Sequence, residues 1–133
     1  MMIRPSRTWR DGVAEEAREL AAGTLEPGQA CMAILFPEAL LAATDAVLGD
    51  FEADVRALAE PSDQQVMAVV ERVVLALNAV NESFDHAAYE TDERERLCEY
   101  IDQVLAHSGI DVPALTARQG IDRYAITDEW RDW

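Results

Sequence analysis

Lysine is missing from this chain. All 11 basic side chains among its 133 residues are arginine, so no side-chain amine is on hand for Schiff-base chemistry. Histidine is nearly missing too, with only His86 and His107. The Glu-x-x-His motif that bundle di-metal sites repeat on two helices does not occur. A Gly-x-Ser-x-Gly elbow, a glycine-rich phosphate loop and a His-Glu-x-x-His pair are equally lacking, which removes the common signatures of nucleophilic, nucleotide and zinc chemistry. Cys31 and Cys98 are isolated; each lies on an apolar helical pattern and is read as a buried free thiol, suited to a reducing compartment. Cys98 is surrounded by acids, which favour the thiol over the nucleophilic thiolate. The first residues, Met1 to Arg7, hold no apolar core of a signal peptide. The apolar runs are read as shorter than a membrane span, broken at Glu71-Arg72 and Pro37-Glu38. The expectation is a soluble cytoplasmic protein.

What the chain has in excess is negative charge. Twenty-six acidic residues against 11 basic ones leave a net charge of -15. The excess is not a tail: residues 1–60 carry 11 acids and 5 arginines, and residues 61–133 carry 15 and 6. Such a field repels phosphate backbones and anionic lipid, so nucleic acid and membrane are poor partners. It favours a basic protein, a cation or a basic ligand, and it also serves solubility. Half of the residues are hydrophobic, enough to exclude disorder, and the length suits one domain with a real core.

The apolar residues recur with a helical period. Val66, Val69, Val70, Val73, Val74 and Leu77 follow i, i+3, i+4, i+7, i+8 and i+11, while Glu71-Arg72 sit opposite. Ser62 and Gln65 form a capping box in front of them, and Pro61 separates this segment from the one before. The helix is read from Ser62 to Tyr89, apolar first and polar last, and is placed at the centre of the bundle because its stripe is wide. Upstream, Leu41, Thr44, Leu48, Phe51, Val55 and Leu58 alternate spacings of 3 and 4, a heptad seam on a helix from Glu38 to Ala59. The tight link at Glu60-Pro61 predicts an antiparallel hairpin of these two helices.

Residues 1–7 are read as loose. A first helix is expected over Trp9–Ala22, capped by Thr8, with Val13, Ala17 and Leu20 as its apolar face and Gly23 as its stop. Ala30 to Phe36 fits a short buried strand or a helical turn; helix is preferred because no second strand-like run could pair with it. Thr91 caps a helix whose buried face is Leu97, Tyr100, Ile101, Val104 and Leu105, ending near His107 and Gly109. Asp111-Val112-Pro113 opens a short helix stopped by Gly120, and Thr127 to Trp130 makes a last capped turn. The fold class is an all-α, single-domain bundle of four main helices plus short additional ones.

The polar end of the central helix is the candidate site. Glu82 and His86 are four residues apart and share a face if the helix continues, with Asp85 and Tyr89 beside them. Carboxylate and imidazole at that spacing could hold a divalent ion or small ligand, against the plainer reading of a solvated helix end. Asn78 and Asn81 lie on or beside the apolar stripe, where buried amides need partners in a loop or a neighbouring helix. Glu93 and Glu95 extend the acidic surface into the next helix. Trp9, Trp130 and Trp133 lie near the termini; they either pin the tail to the bundle or anchor a partner.

Three segments, Leu77-Asn78-Ala79-Val80-Asn81-Glu82, Glu90-Thr91-Asp92-Glu93-Arg94-Glu95 and Leu97-Cys98-Glu99-Tyr100-Ile101, carry a resemblance. Over about residues 75–105 the chain resembles small acidic bacterial proteins of unknown function, some of them grouped with immunity proteins of polymorphic toxin systems. The resemblance implies no catalytic residue. The reading that follows is a non-enzymatic acidic protein-binding module, an immunity-like inhibitor of a basic partner, with no cofactor and no metal. The alternatives are a small-ligand or metal-binding protein or enzyme, with its site at Asn78, Glu82, Asp85 and His86, and a structural homodimer built on the Leu41–Leu58 seam.

Overall fold

In the computed structural model, which describes residues 2–133, two thirds of the chain is helical and no strand occurs among the described residues. The long helices are α1 (Pro5–Ala22), α3 (Glu38–Arg56), α4 (Asp63–Ser83) and α5 (Thr91–His107); α2 (Met32–Leu35) and α6 (Val112–Arg118) are short. The expected all-α bundle of four main helices is what forms. Its local signals act as their chemistry dictates. Ser62 Oγ accepts from the Gln65 amide at 3.1 Å while Gln65 Oε1 accepts from the Ser62 amide at 2.9 Å. Asp111 Oδ1 caps α6 through the Ala114 amide at 3.1 Å. Residues 30–36 take the helical choice, as the four-residue α2.

The heptad seam and the valine stripe meet in the α3–α4 hairpin. Thr44, Leu48, Phe51 and Val55 of α3 and Val70, Val73, Val74 and Leu77 of α4 are buried together. The central place belongs to α3, however, not to α4: α3 packs against α1, α4 and α5, whereas the extensive contact of α4 is with α3. The valine stripe is wide, but Leu75 remains 48% exposed on the other side of α4.

Further corrections concern α1 and its surroundings. The helix starts at Pro5, not Trp9, so residues 5–7 are helical rather than loose; Met1 lies outside the described residues. Pro5 suits the first helical position because its ring presets φ and its missing N–H is not needed there. The buried residues of α1 are Pro5, Ser6 and Trp9, whereas Ala17 and Leu20 of the expected stripe are exposed. Gly12, expected only to weaken a turn, is where α2 approaches: a Cβ there would lie 2.6 Å from Met32 Cε. Cys31 is exposed rather than buried, because α2 presents its outer side to solvent, with Ile34 81% exposed. Cys98 is half-buried. By length and composition one stretch, Pro27–Arg56, is apolar enough to cross a membrane. That stretch is broken at Phe36-Pro37, and its Leu40, Leu41, Thr44 and Leu48 are buried in the bundle.

An ion-pair cluster ties the start of α1 to α3 and α5. The Arg4 guanidinium donates to Glu52 at 2.7 and 3.0 Å and lies 3.2 Å from Asp45. Ser6 Oγ donates to Asp45 at 2.8 Å, and the Tyr100 hydroxyl donates to Glu52 at 2.7 Å. Partial burial pushes the Glu52 carboxyl up, but the hydrogen bonds from Arg4 and Tyr100 outweigh it and hold the group below its usual range. Asp45 is likewise held down by Ser6 and Arg4 against the opposing effect of burial. Burial, and then the bond to charged Glu52, push the Tyr100 phenol up to about 12.

Val70→Asp puts an unpaired carboxylate where the side chain is fully enclosed; it should cost about 4 kcal/mol or more. Leu75→Asp, five residues on and half exposed on the other side of α4, should change stability by less than about 1 kcal/mol. Denaturant midpoints of the two variants check the pair, and equal effects would mean that the stripe is not where the structure puts it. The Arg4 cluster carries a pH signature. Carboxylates with lowered folded-state pKa values stabilise above their ordinary values of 3.8 and 4.5 and lose that contribution as pH falls through the folded values. Arg4→Gln should therefore lower Tm at pH 7, and the gap to the parent should narrow below about pH 4.

Candidate functional site

The polar end of α4 is built around an amide, not a carboxylate–histidine pair. The helix stops at Ser83, and Asp85 and His86 both take left-handed backbone, each with φ of 60°. Aspartate and histidine tolerate that region better than most residues do. The turn closes through the His86 amide, which donates to the Asn81 carbonyl at 2.8 Å. Asp85 and His86 are thus past the helix end and exposed, and Glu82 and His86 do not form the helical i, i+4 pair expected of them. The reason is Asn81. Its side chain is buried, and Oδ1 accepts from the Ala88 amide at 2.9 Å and the Tyr89 amide at 3.3 Å. These bonds turn the chain back before α5 and leave no room for another helical turn.

Tyr89 enters the core from that turn. Its hydroxyl shares a 2.5 Å hydrogen bond with Thr44 Oγ1, and burial pushes its phenol up to about 12 against the opposing effect of that bond. Its ring lies 6.3 Å from Trp9 and 5.7 Å from Trp133, and Trp9 stacks on Phe36 at 5.1 Å. Asn78 holds the last residues in place: Nδ2 donates to the Trp130 carbonyl at 2.7 Å, and Oδ1 accepts from the Asp132 amide at 3.2 Å. Both asparagines are therefore structural, and Trp133 pins the tail as one of the two readings expected.

Charge is what the exposed surface here offers. Arg7, Arg56 and Arg94 are the arginines with no carboxylate within 4.0 Å among the described residues; the others are in ion pairs. Glu82, Asp85, Glu90, Glu93 and Glu95 take part in none of those pairs, although Glu93 Oε1 accepts from the Glu90 amide at 3.4 Å. The pinned tail adds Glu129 and Asp132, also outside the ion pairs, beside the end of α4. Arg94 and Arg131 are the basic residues of these two segments. Among the described residues no group of three or more His, Cys, Asp or Glu side chains is arranged to hold a metal ion.

The chain matches no family model, no curated protein and no solved structure.

Sequence reasoning missed a cleft of about 290 Å³ between α5 and the chain after α6, lined by Glu95, Cys98, Glu99, Asp102, Arg123, Tyr124, Ile126 and Thr127. The helical spacing of its α5 members was visible; their meeting with residues 123–127 was not.

Asn81→Ala leaves the Ala88 and Tyr89 amides without their acceptor and should cost about 1–3 kcal/mol, read as a lower Tm. Asn78→Ala should instead raise hydrogen exchange selectively in residues 130–133. An Asn81→Ala protein as stable as the parent would show that the turn does not depend on this amide.

Proposed function

We propose that the protein is a non-enzymatic acidic module that binds a basic protein, in the manner of an immunity-like inhibitor. The observation that carries this reading is the run of acids outside ion pairs at the α4–α5 turn. Glu82, Asp85, Glu90, Glu93 and Glu95 take part in no ion pair around the α4–α5 turn, where Arg94 is the one arginine among them, and the tail brings Glu129 and Asp132 beside the end of α4. Such a field steers a basic partner and accelerates its encounter. The inhibitory role is proposed from the resemblance of about residues 75–105 to small acidic bacterial proteins of unknown function, some of them grouped with immunity proteins of polymorphic toxin systems. A reducing, cytoplasmic setting accords with two unpaired thiols.

The rivals have less support. A small-ligand or metal site at Asn78, Glu82, Asp85 and His86 loses both the helical register it relied on and the free amide of Asn78. A homodimer through the Leu41–Leu58 seam has no free seam to use, since Leu41, Thr44, Leu48, Phe51 and Val55 are buried inside one chain.

Capture from the source lysate at low salt should yield a basic partner that high salt releases. Glu82→Arg with Glu95→Arg should then slow association about tenfold or more, measured by surface plasmon resonance. Both residues are exposed and outside the ion pairs, so the fold should persist. Glu26→Arg with Glu71→Arg changes the net charge equally at other exposed positions and should slow association much less. Equal slowing would reduce the effect to global charge, and a salt-insensitive partner would overturn the reading.

A further inference from the structure

The cleft beside α5 combines features that an acidic surface alone does not have. Glu95, Cys98, Glu99 and Asp102 follow i, i+3, i+4 and i+7, so α5 supplies one continuous wall. Ile126 and Thr127, both buried, form the opposite side. The Cys98 thiol sits between the walls, 3.6 Å from Thr127 Oγ1 and accepting from Arg131 Nη1 at 3.3 Å. Arg123 grips Asp102 through two bonds of 3.1 and 3.0 Å, which neutralises that carboxylate and stiffens the far end. At the mouth, Tyr124 is 79% exposed, with the Arg123 guanidinium 4.9 Å from its ring centre.

The volume, about 290 Å³, lies just under the roughly 300–1,000 Å³ of small-molecule pockets. An interior walled by Ile126, the Thr127 side chain and the α5 stems offers apolar contact and few free polar groups. Its rim is acidic. Glu95 has no ion pair, and the contacts of Glu99 are the long ones, 3.9 Å to Arg96 and 3.4 Å to Gln103. An apolar hollow with an exposed tyrosine at its edge is the composition of an interface hot spot.

We propose that this cleft seats one apolar or aromatic side chain of a basic protein segment, whose flanking lysines or arginines meet Glu95 and Glu99. Charge complementarity selects the occupant, and the inference rests on the basic-partner reading above. It adds where the partner's anchor goes. The acidic α4–α5 turn and tail steer; the cleft holds.

The test uses the full chain carrying Cys31→Ser, so that Cys98 is its remaining thiol, and three synthetic peptides: acetyl-Lys-Lys-Trp-Lys-Lys-amide, the same peptide with alanine for tryptophan, and the tryptophan peptide with serine for lysine. Amide shifts by NMR and the rate of Cys98 alkylation are the readouts. The lysine–tryptophan peptide should shift Cys98, Ile126 and Thr127 and slow alkylation severalfold. It should also bind about tenfold more tightly than either other peptide. Tyr124→Ala, at an exposed position, should weaken only the tryptophan peptide. If both lysine peptides bind alike, with shifts confined to residues 82–93 and 129–132, the cleft is not the anchor site and the acidic-module reading survives. If the serine peptide enters the cleft as well as the lysine one, charge plays no part and both ideas fall. Absence of binding by all three overturns both as well.

Discussion

The buried amide of Asn81 is the constraint on which the other half of the structure hangs. One oxygen accepts two backbone N–H groups from the returning chain, and a buried amide left without such partners is expensive. That requirement ends α4, sets the left-handed pair Asp85 and His86, and delivers Tyr89 into the core. Tyr89 then joins elements far apart in the chain: Thr44 of α3 through its hydroxyl, and Trp9 and Trp133, from near the two chain ends, through its ring. The Arg4 cluster does comparable work at the first turn of α1, where a charged guanidinium is satisfied by Glu52 and Asp45 of α3 while Tyr100 of α5 donates to the same Glu52.

These polar ties account for the distribution of charge outside. Five of the eleven arginines lock elements together: Arg4 onto α3, Arg10 of α1 to Glu38, Arg72 to Asp54 across the hairpin, Arg118 of α6 to Asp63, and Arg123 to Asp102 of α5. Surface pairs of this kind contribute little individually, and each cancels one positive against one negative charge, so the net charge of -15 is carried by carboxylates outside the pairs. The α4–α5 turn has few arginines to spare, and its carboxylates stand in solvent. Architecture and electrostatics are in this way one arrangement. The same helix faces that bind the bundle together decide where its net charge is felt.

The candidate site was legible in part. Asn78 and Asn81 were expected to be satisfied structurally, and they are, because a polar residue on a valine stripe has no cheaper alternative. Helical spacing implies a Glu82–His86 pair only if the helix runs past Ser83, and it does not; the stop signal is not a proline or glycine but the tertiary demand of Asn81 for the Ala88 and Tyr89 amides. Cys31 is exposed for a related reason. An apolar run predicts burial only if a neighbour covers it, and α2 is too short to bury more than one side against α1.

The sequence alone determined the helices and much of their pairing: the period of Val66–Leu77, the Ser62–Gln65 box, the Asp111 cap, the stops at Gly23, Gly109 and Gly120, and the α3–α4 hairpin forced by a short link. These are local properties, fixed by side chains three or four residues apart and by the φ a residue tolerates. Tertiary structure decided which helix is central, where α4 ends, how the tail is held and that α5 shares a cleft with residues 123–127. Those outcomes rest on partners such as Arg4 and Glu52, 48 residues apart, or Asn78 and Trp130, 52 apart. No periodicity encodes such meetings, because they depend on how whole faces pack once the helices exist.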